Sequence, residues 1–422
     1  MRRHYLRRQR TAEPGALACL SFDADRQPEP VRLPTSKSIA ARALILAYVN
    51  GNATELRGLP DCDDTRELAE AMHMLREDMA GCRSYDLGTG GTSLRFFLAL
   101  AASLPGFDAR IDCSDALRSR PLKPLIDSLR QAGADIECLR QEGYAPLHVK
   151  GRVLDGSGVA VSGAASSQFR SALMMVSQLW TVPFTDAEDA HGVSLPYVSM
   201  TRRMVEIFRE RPSKFVIEPD WSALSYFYEY ALLRPDMDVE VENMPPVEGS
   251  LQGDSACAAI FGGLGVETRI NPDGSGVLRG NKEMIERLRD AKETVSLDMK
   301  DVPDLVPALA VGLCCAGIRF RMTGIGHLRH KESNRLSALS EEMSKAGYRL
   351  EAGEDSLSWE GARLPSGEDE THFAHRDHRI AMALAVTAVT RRHVSIRGAE
   401  AVTKSFPTFF AQLAQLGIYR RK

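Results

Sequence analysis

The fold is first indicated by the stretch Leu129-Arg130-Gln131-Ala132-Gly133-Ala134-Asp135-Ile136-Glu137, which joins an amphipathic helix directly to an alternating strand. Glycine just past the end of a helix accepts the left-handed conformation, so Gly133 is typical of a helix stop. A second strand follows at 147–151 and also ends in glycine. The stretch therefore predicts a unit of helix, strand, turn and strand.

The same pattern recurs along the chain. Helices that end in glycine and lead into short strands are predicted at 263–270, 344–350 and 414–419. Further glycine-terminated strands, some as second strands and some before helix starts, are predicted at 277–280, 357–361, 56–58, 322–324 and 396–398. Recurrence in a matching context indicates internal duplication of a β-α-β-α-β-β unit.

Length and composition set the class of protein. The chain has 422 residues, 44% of them hydrophobic and 26% charged, which is typical of a soluble globular protein of two or three domains. The net charge of −3 excludes a general polyanion binder, so any anion recognition must be local. No apolar stretch is long enough to span a membrane.

The cysteines and the N-terminus bear on the compartment. The eight cysteines form no C-x-x-C pair, which favours reduced thiols in the cytoplasm over a disulfide framework. Residues 1–10 are basic but are not followed by the apolar segment of a secretory signal. A transit peptide and a short basic lead into the first strand both fit this stretch, and the lead is the expectation.

The stretch Lys331-Glu332-Ser333-Asn334-Arg335 carries the clearest chemical signal. If it is helical, positions i and i+4 share a face, so Lys331 and Arg335 can bind one anion together. Glu332 would then lie beside that anion as a proton-transfer group. A solvated salt-bridge face fits a single cluster of this kind equally well, so the interpretation depends on similar sites elsewhere.

Two further helix starts have the character of anion sites. Ser36 and Ser38 flank Lys37 at the start of an apolar helix, and Arg42 follows one turn beyond Ser38. The glycine-rich stretch 88–95 opens a second apolar helix and allows a ligand to approach the backbone closely. It matches neither the Walker A loop nor the dinucleotide fingerprint, so no nucleotide cofactor is indicated.

Several cations also stand near predicted helix starts, where the helix dipole disfavours them. Lys37, Arg379 and Lys404 are the examples, and Arg120 precedes another helix. An anion that occupies each site would offset this penalty, and arginine suits phosphate and carboxylate groups. The hydroxyl and amide side chains of 166–168 add neutral donors at a further helix start.

Two other groups allow alternative interpretations. Asp304 is a plausible helix N-cap, although a capping carboxylate can also act as a general base. His372, His375 and His378 are spaced by three residues, which invites a zinc site. We do not expect zinc, because no cysteine or second carboxylate lies at a typical ligand spacing. His372 and His375 are expected at the surface.

Taken together, these motifs resemble the EPSP synthase (3-phosphoshikimate 1-carboxyvinyltransferase) family over about 33–410. The motifs that carry the resemblance are Leu-Pro-x-Ser-Lys-Ser at 33–38, Gly-Thr-x-x-Arg at 91–95, Arg-Pro-Leu at 120–122, Ser-Ser-Gln-Phe at 166–169, Ser-x-Pro-Tyr at 194–197, Gln-Gly-Asp at 252–254, Lys-Glu-Ser-x-Arg at 331–335 and Asp-His-Arg at 377–379. They are specific jointly and in this order, whereas each alone is not.

The resemblance implies a two-domain inside-out α/β barrel, each domain built from three β-α-β-α-β-β repeats around a cleft. One domain would cover 37–251 and the other 1–36 and 252–422, with the N-terminal strand joining the C-terminal domain. The implied reaction moves the enolpyruvyl group of phosphoenolpyruvate to the 5-hydroxyl of shikimate 3-phosphate, in the shikimate pathway to chorismate and aromatic amino acids. No metal or organic cofactor is implied, and a cytoplasmic monomer without nucleic-acid or membrane partners is expected.

The resemblance also assigns residues. Shikimate 3-phosphate would contact Lys37, Ser38, Arg42, Ser166, Ser167, Gln168, Ser194, Asp304 and Lys331. Phosphoenolpyruvate would contact Lys37, Gly91, Arg120, Gln168, Arg335, Arg379 and Lys404. Glu332 would handle the proton on the methylene carbon, and Asp304 with Lys37 the proton of the hydroxyl. Because Gly91 is kept, glyphosate is expected to compete with phosphoenolpyruvate.

Two alternatives stay open at this point. A UDP-N-acetylglucosamine enolpyruvyl transferase would have Lys-Asn in place of Lys37-Ser38 and a loop cysteine near Arg120, and this chain has neither. A non-catalytic anion-binding protein of the same fold is disfavoured by the joint presence of Lys37, Asp304 and Glu332. His327, where the family often has asparagine, is one departure from the family pattern.

Overall fold

A computed structural model describes residues 15–77, 81–161, 167–185, 193–291, 293–365, 371–391 and 393–421. The basic stretch 1–10 and the predicted ligand Ser166 lie outside these residues. The helices are α1 Lys37–Val49, α2 Asp63–Glu77, α3 Gly91–Ala102, α4 Asp115–Arg118, α5 Lys123–Gln131, α6 Ser167–Val176, α7 Leu195–Arg209, α8 Trp221–Leu233, α9 Ala256–Gly263, α10 Lys282–Ala291, α11 Val306–Ala316, α12 Arg335–Lys345, α13 His378–Val386 and α14 Phe409–Gln415.

The strands are β1 Leu17–Phe22, β2 Glu55–Arg57, β3 Ser84–Asp86, β4 Asp108–Asp112, β5 Asp135–Cys138, β6 Leu147–Lys150, β7 Lys214–Val216, β8 Asp238–Val241, β9 Val266–Ile270, β10 Gly276–Gly280, β11 Val295–Asp298, β12 Phe320–Thr323, β13 Glu351–Ala352, β14 Ser356–Trp359, β15 Thr371–Phe373, β16 His393–Arg397 and β17 Ile418–Arg420. The 3-10 turns are Ser177–Leu179, Gly253–Ser255, Pro303–Leu305, Gly326–His330, Thr387–Val389 and Ala399–Lys404.

One sheet arrangement repeats along the chain. In the sheet β3-β4-β6-β5, β3 and β4 are parallel, β6 is antiparallel to β4, and β5 completes a hairpin with β6. The sheet β11-β12-β14-β13 has the same order and the same strand directions. The repeated helix-strand-turn-strand unit predicted from the glycine pattern is therefore confirmed in both sheets.

The N-terminal strand completes a third copy of this sheet. In β15-β16-β1-β17, β1 pairs antiparallel with both β16 and β17, where it takes the place that β6 has in the first sheet. The sheet β8-β10-β9 is extended by a parallel bridge between Val31 and Val241. The predicted pairing of the N-terminal strand with the C-terminal part of the chain is thus confirmed.

The predicted helix stops have the backbone conformation that glycine favours. Gly133 has a φ of +99° and Gly417 a φ of +87°, both in the left-handed region. A Cβ at Gly417 would also lie 2.7 Å from the carbonyl oxygen of Asp23. Glycine is required there by both its φ and its close contact.

We call the elements from α1 to β7 the first half of the molecule, and β1 with the elements from α8 onward the second half. In each half, helices form the interior and sheets form the exterior. Helix α3 packs against α1 and α6 in the first half, and α8 packs against α11 and α13 in the second. Helices α3, α8 and α11 are apolar and buried on nearly every face, which is typical of helices enclosed by other elements. Among the described residues, no helix has the length and apolar character to cross a membrane.

The described residues form two apolar cores, and these cores bear on the domain boundary. One core is built from residues between Ile39 and Ile217, with Leu251. The other joins Ala18–Leu33 side chains to α8 and to the apolar residues that follow. Helix α8 and strand β8 pack with the second core, whereas the sequence-based boundary at 251 assigned them to the first. The boundary at 251 stays a prediction, and the packing places Trp221, the first residue of α8, in the second core.

Candidate active site

A polar cavity lies between the two cores, and several helices begin at it. The first residues of α1, α3, α6, α12 and α13 line the cavity, together with Ser194, which caps α7. Each helix N-terminus carries a partial positive charge and unpaired N–H groups, so the cavity suits anions. The lining residues are Lys37, Ser38, Arg42, Asp64, Gly91, Thr92, Arg120, Ser167, Gln168, Ser194, Tyr197, Asp304, Lys331, Glu332, Arg335, His378 and Arg379.

Lys37 is the first residue of α1, directly after the N-cap Ser36. Its Nζ lies 2.7 Å from Oδ2 of Asp64 on α2. Burial opposes the charge on Lys37, but Asp64 and Glu332 outweigh that effect and raise its pKa above the usual value. Lys37 is therefore a firmly charged cation at the helix start, held by a carboxylate that the sequence analysis did not identify.

Arg42 lines the same wall one turn further along α1. Its guanidinium donates to the carbonyl of Ser38 at 2.8 Å and to the hydroxyl of Thr201 at 2.7 Å. Burial lowers the pKa of Arg42 to about 10. Protein groups already bind much of this guanidinium, so its predicted contact with shikimate 3-phosphate stays a prediction.

The glycine-rich loop brings two arginines close to a bare backbone. A Cβ at Gly91 would lie 2.8 Å from a terminal nitrogen of Arg120 and 2.9 Å from one of Arg95. Arg95 also donates to Oε1 of Gln168 at 2.7 Å, which fixes the orientation of that amide. Gly91 thus provides space for a cationic pocket rather than only a turn.

Asp304 is the centre of the opposite wall. Its carboxylate accepts from Arg335 at 2.9 Å and from Arg379 at 2.7 Å, and Nζ of Lys331 lies 3.8 Å away. Tyr197 from the first half donates to it at 3.3 Å. Burial opposes ionisation of Asp304, but Arg379, Lys331 and Arg335 outweigh it and hold its pKa well below the usual range.

The N-cap interpretation of Asp304 is wrong. Asp304 lies inside the 3-10 turn Pro303–Leu305, and Leu305 is the residue that precedes α11. Its oxygens accept from side chains rather than from the first N–H groups of the helix. The carboxylate is thereby directed into the cavity, as a general base would have to be.

Glu332 lies among three cations. Its Oε2 accepts from Arg335 at 2.9 Å, while Oε1 lies 3.9 Å from Lys404 and 4.0 Å from Arg120. Burial opposes ionisation, but Arg335, Lys404 and Arg120 together hold the pKa of Glu332 well below its usual range. Arg120 belongs to the first half and Arg335 to the second, so this carboxylate bridges the two.

The predicted helical face of Lys331 and Arg335 is wrong. Helix α12 begins only at Arg335, with Asn334 as its N-cap, and Lys331 has extended backbone angles. The two cations nevertheless meet, because both reach Oδ1 of Asp304. Their convergence comes from a loop that turns into a helix and not from a spacing of four residues.

Arg379 lies at the start of a helix as predicted, whereas Lys404 does not. Arg379 is the second residue of α13, whose N-cap Asp377 accepts from its N–H at 3.0 Å, as expected for a helix start. Lys404 instead ends the 3-10 turn Ala399–Lys404, so its placement at a helix start is wrong. Lys404 donates to the carbonyl of Thr89 at 2.7 Å and lies 3.5 Å from Asp64, both in the first half.

The structure adds residues that the sequence analysis did not assign to the site. They are Asp64, Arg95, Tyr197, Asp377 and His378. Burial, together with Lys37 and Arg379, holds the pKa of His378 well below its usual value, so this imidazole is neutral. Asp377 and His378 were visible only as parts of a motif, and Asp64 was hidden among other acids at a helix start.

The expected surface position of His372 is wrong. His372 is buried, and its Nδ1 lies 3.3 Å from Oε2 of Glu342, which is also buried. His375 is partly buried, and its Nε2 lies 2.7 Å from Oε1 of the same carboxylate. The three-residue spacing therefore reflects a shared carboxylate for these two histidines, while His378 belongs to the cavity.

Comparison with known families gives a consistent result. The family model described as EPSP synthase (3-phosphoshikimate 1-carboxyvinyltransferase) matches residues 24–211 and 209–413. The 3-phosphoshikimate 1-carboxyvinyltransferase of Bacteroides fragilis (strain YCH46) is 34% identical over 405 residues, which cover 92% of this chain and 95% of that protein. The protein of the same name from Syntrophobacter fumaroxidans is 33% identical over 419 residues, covering 91% and 96%.

Solved structures support the same fold. EPSP synthase from Acinetobacter baumannii aligns with 96% of this chain and 100% of its own at a TM-score of 0.65 and 19% identity. The enolpyruvyl transferase NikO from Streptomyces tendae aligns with 97% and 99% at a TM-score of 0.65 and 14% identity. At these identities the likeness concerns the fold alone, and it agrees with the two-domain α/β architecture.

Proposed function

Because this chain belongs to the EPSP synthase (3-phosphoshikimate 1-carboxyvinyltransferase) family, we propose that the cavity between its two cores is the site of enolpyruvyl transfer. The enzyme moves the enolpyruvyl group of phosphoenolpyruvate to the 5-hydroxyl of shikimate 3-phosphate and releases phosphate. It acts in the shikimate pathway, which supplies aromatic amino acids. The alternatives, a UDP-N-acetylglucosamine transferase and a non-catalytic binder, are not favoured by the relatives.

The observation that supports this site best is the placement of two carboxylates on one arginine. Arg335 donates to Asp304 from one terminal nitrogen and to Glu332 from the other, both at 2.9 Å. Two ionised carboxylates are thus separated by a single guanidinium within a cavity rich in cations. Addition of a hydroxyl across a double bond needs one group that takes the hydroxyl proton and a second group that delivers a proton to the carbon. Asp304 and Glu332 can supply these two groups.

The cations divide into two groups around these carboxylates. We assign phosphoenolpyruvate to the side where Arg120, Lys404 and Arg335 surround Glu332. The family motif adds Gly91 and Arg379 to the phosphoenolpyruvate set, and Arg379 reaches the cavity through its contact with Asp304. It assigns Gln168 and Lys37 to both ligands. We assign shikimate 3-phosphate to the side of Lys331 and Asp304, with Ser38, Arg42, Ser167 and Ser194. Ser166 stays a prediction of the family motif, because it lies outside the described residues. Arginine forks suit the carboxylate and phosphate of the smaller ligand.

The proposed reaction has two steps. The 5-hydroxyl attacks C2 of phosphoenolpyruvate and Glu332 delivers a proton to C3. Asp304 takes the hydroxyl proton, while the charged Lys37 stabilises the negative charge that develops on that oxygen. The tetrahedral intermediate then loses phosphate, Glu332 recovers a proton from C3, and the cations stabilise the charge on the leaving group. The proton taken from the hydroxyl leaves with the phosphate.

Binding of phosphoenolpyruvate should change the pKa of Glu332 and so prepare this residue for proton transfer. Its pKa is held low by Arg335, Lys404 and Arg120 against the effect of burial, and a carboxylate cannot donate a proton. The negative charges of phosphoenolpyruvate would neutralise the same cations. An anion nearby disfavours the charged carboxylate, so the pKa of Glu332 rises when the substrate binds.

We also propose a domain division and a setting. The first domain would cover about 37–219 and the second the remainder, which includes β1. Groups from both domains meet at one cavity within one chain, so a monomer suffices for activity. The eight cysteines are free thiols, which favours the reducing cytoplasm.

The test is phosphate release from phosphoenolpyruvate. Purified enzyme is supplied with phosphoenolpyruvate and either shikimate 3-phosphate or UDP-N-acetylglucosamine, and the organic product is identified by mass spectrometry. We expect release and 5-enolpyruvylshikimate 3-phosphate only with shikimate 3-phosphate. Release only with the nucleotide sugar would favour the related transferase, and release with neither would favour a non-catalytic binder.

A further inference from the structure

A buried carboxylate outside the cavity, that of Glu342, joins α12 to residues 371–377, the segment that precedes α13. Glu342 is fully buried, and its Oε2 accepts from the N–H of Phe373 at 3.0 Å and faces His372 at 3.3 Å. Its Oε1 lies 2.7 Å from Nε2 of His375 and 2.8 Å from Nζ of Lys345. Apart from the contact with Lys345, all of these bonds lead to residues 372–375.

The segment that Glu342 holds has a strained backbone. His375 has a φ of +52° and Arg376 a φ of +57°, in the left-handed region that residues with a Cβ rarely adopt. Such conformations persist when the surrounding contacts over-determine them, and they cluster next to functional sites. The next residue is Asp377, which accepts from Arg335 and caps the helix of Arg379.

Helix α12 therefore contacts this segment at two points. Arg335 and Glu342 are seven residues apart, which places them on the same face of the helix two turns from one another. Arg335 contacts the end of the segment through Asp377, and Glu342 contacts its beginning through Phe373 and His375. The strained turn lies between these two points.

We propose that Glu342 is a positioning residue for the transfer reaction, because it holds the turn at 374–376 and thereby the placement of Asp377, Arg335 and Arg379. The inference rests on the proposed function, in which Arg335 and Arg379 bind phosphoenolpyruvate. His375 is the main partner in this arrangement. The pKa of His375 is raised, chiefly by its contact with Glu342, which keeps a charge-assisted contact in place.

The alternative interpretation of this cluster is a metal-binding site. Glu341, Glu342 and His375 offer ligand atoms within 4.8 Å of one another. Nζ of Lys345 lies 2.8 Å from Glu342 and 3.3 Å from Glu341, so a cation already occupies the space between the carboxylates. A divalent ion would have to displace Lys345, and the geometry therefore favours positioning.

The main test is the variant Glu342→Gln, which keeps the size of the side chain and removes its charge. Steady-state kinetics are measured with each substrate varied in turn. A displaced turn should move the two arginines, so we expect the KM for phosphoenolpyruvate to rise about tenfold while the KM for shikimate 3-phosphate stays within about twofold. Simple loss of folded enzyme would lower kcat and leave both KM values unchanged.

Matched variants test whether the effect comes from the contact between Glu342 and His375 or from the loss of any carboxylate on this helix. Glu341→Gln removes the adjacent, exposed carboxylate on the same helix and should leave both KM values unchanged. His375→Leu should reproduce the effect of Glu342→Gln. His375→Gln, which keeps an N–H donor of similar reach, should restore most of the affinity for phosphoenolpyruvate.

A second measurement does not depend on turnover. Hydrogen exchange of the segment 371–379 should become about tenfold faster in Glu342→Gln, with α1 unaffected. Unchanged exchange, or equal changes in the two KM values, would overturn the proposal. Absence of turnover in the unaltered enzyme would contradict the proposed function instead, and the exchange experiment would still decide whether Glu342 holds the turn.

Discussion

Nε of Arg335 donates to Oδ2 of Asp377 at 2.8 Å, and both side chains are almost completely buried. The same guanidinium donates to Asp304 and Glu332, so three carboxylates share one cation. A buried ion pair is destabilising to break because the remaining charge is left without compensation. Arg335 therefore orders the carboxylates as well as binding the substrate in the proposed reaction.

Arg335→Lys is expected to reduce kcat/KM for phosphoenolpyruvate about a hundredfold, because an ammonium cannot donate to three carboxylates in a planar fork. Steady-state kinetics with shikimate 3-phosphate held at saturation would measure the effect. The partly buried Arg329, whose hydrogen bonds within the described residues go to the backbone carbonyls of Glu354 and Gly353, supplies the matched control Arg329→Lys. Equal kinetics for the two variants would contradict this role for Arg335.

Glu332→Gln is expected to bind both substrates and to lower turnover by about 10²- to 10⁴-fold, the usual contribution of a general acid or base. The amide has the size of the carboxyl group but cannot exchange the proton with C3. Equilibrium binding of shikimate 3-phosphate and single-turnover formation of the product would separate the two effects. Turnover close to that of the unaltered enzyme would remove Glu332 from the mechanism.

Much of the fold could be predicted from the sequence, because its signals are local. Gly133 and Gly417 end their helices as expected, and the strands that follow them are present. The side on which α8 packs is not a local property. Its apolar residues would suit either core, so the boundary at 251 followed from the family pattern and not from packing.

The sequence identified the cations of the site, but it did not predict how they are arranged. Lys331 and Arg335 do meet, but at Asp304 and through a loop, because Asn334 caps the helix between them. Asp64 could not be distinguished from its neighbour Asp63, since acids at a helix start are normal. Its role depends on how α2 packs against α1, which a sequence pattern does not contain.

Gly91→Ala is expected to raise the KM for phosphoenolpyruvate about tenfold, because a misplacement of about 1 Å near a reacting group has effects of this order or larger. The added Cβ would lie 2.8 Å from Arg120 and 2.9 Å from Arg95, so both side chains must shift. Gly262→Ala is a suitable control, since no atom lies within 4 Å of a Cβ there. An unchanged KM would mean that the pocket tolerates the methyl group.

Glyphosate is expected to compete with phosphoenolpyruvate and not with shikimate 3-phosphate. Gly91 leaves the space beside Arg120 open, and an anionic analogue could use the same cations. Initial rates at several inhibitor concentrations, with each substrate varied in turn, would show the pattern. Inhibition that does not weaken as phosphoenolpyruvate increases would contradict a shared site.

Glu229 on α8 is expected to make stability depend on pH. It is fully buried, and neither carboxyl oxygen has a hydrogen-bond partner among the described residues. Burial raises its pKa well above the usual value, so the folded protein keeps the carboxyl group neutral. The unfolded chain releases this proton above about pH 4.3. The unfolding free energy that Glu229 contributes should therefore decrease as pH rises from that value toward its raised folded pKa.

Glu229→Gln isolates this effect, because the amide has a similar size and does not titrate. Urea unfolding of both proteins at pH 5, 6, 7 and 8 would give the difference between their unfolding free energies. The difference should shift in favour of the variant by up to about 1.4 kcal/mol per pH unit within that window. All other titrating groups are shared by the two proteins and cancel in the comparison. A difference that does not vary with pH would show that Glu229 has the same pKa in the folded and unfolded states.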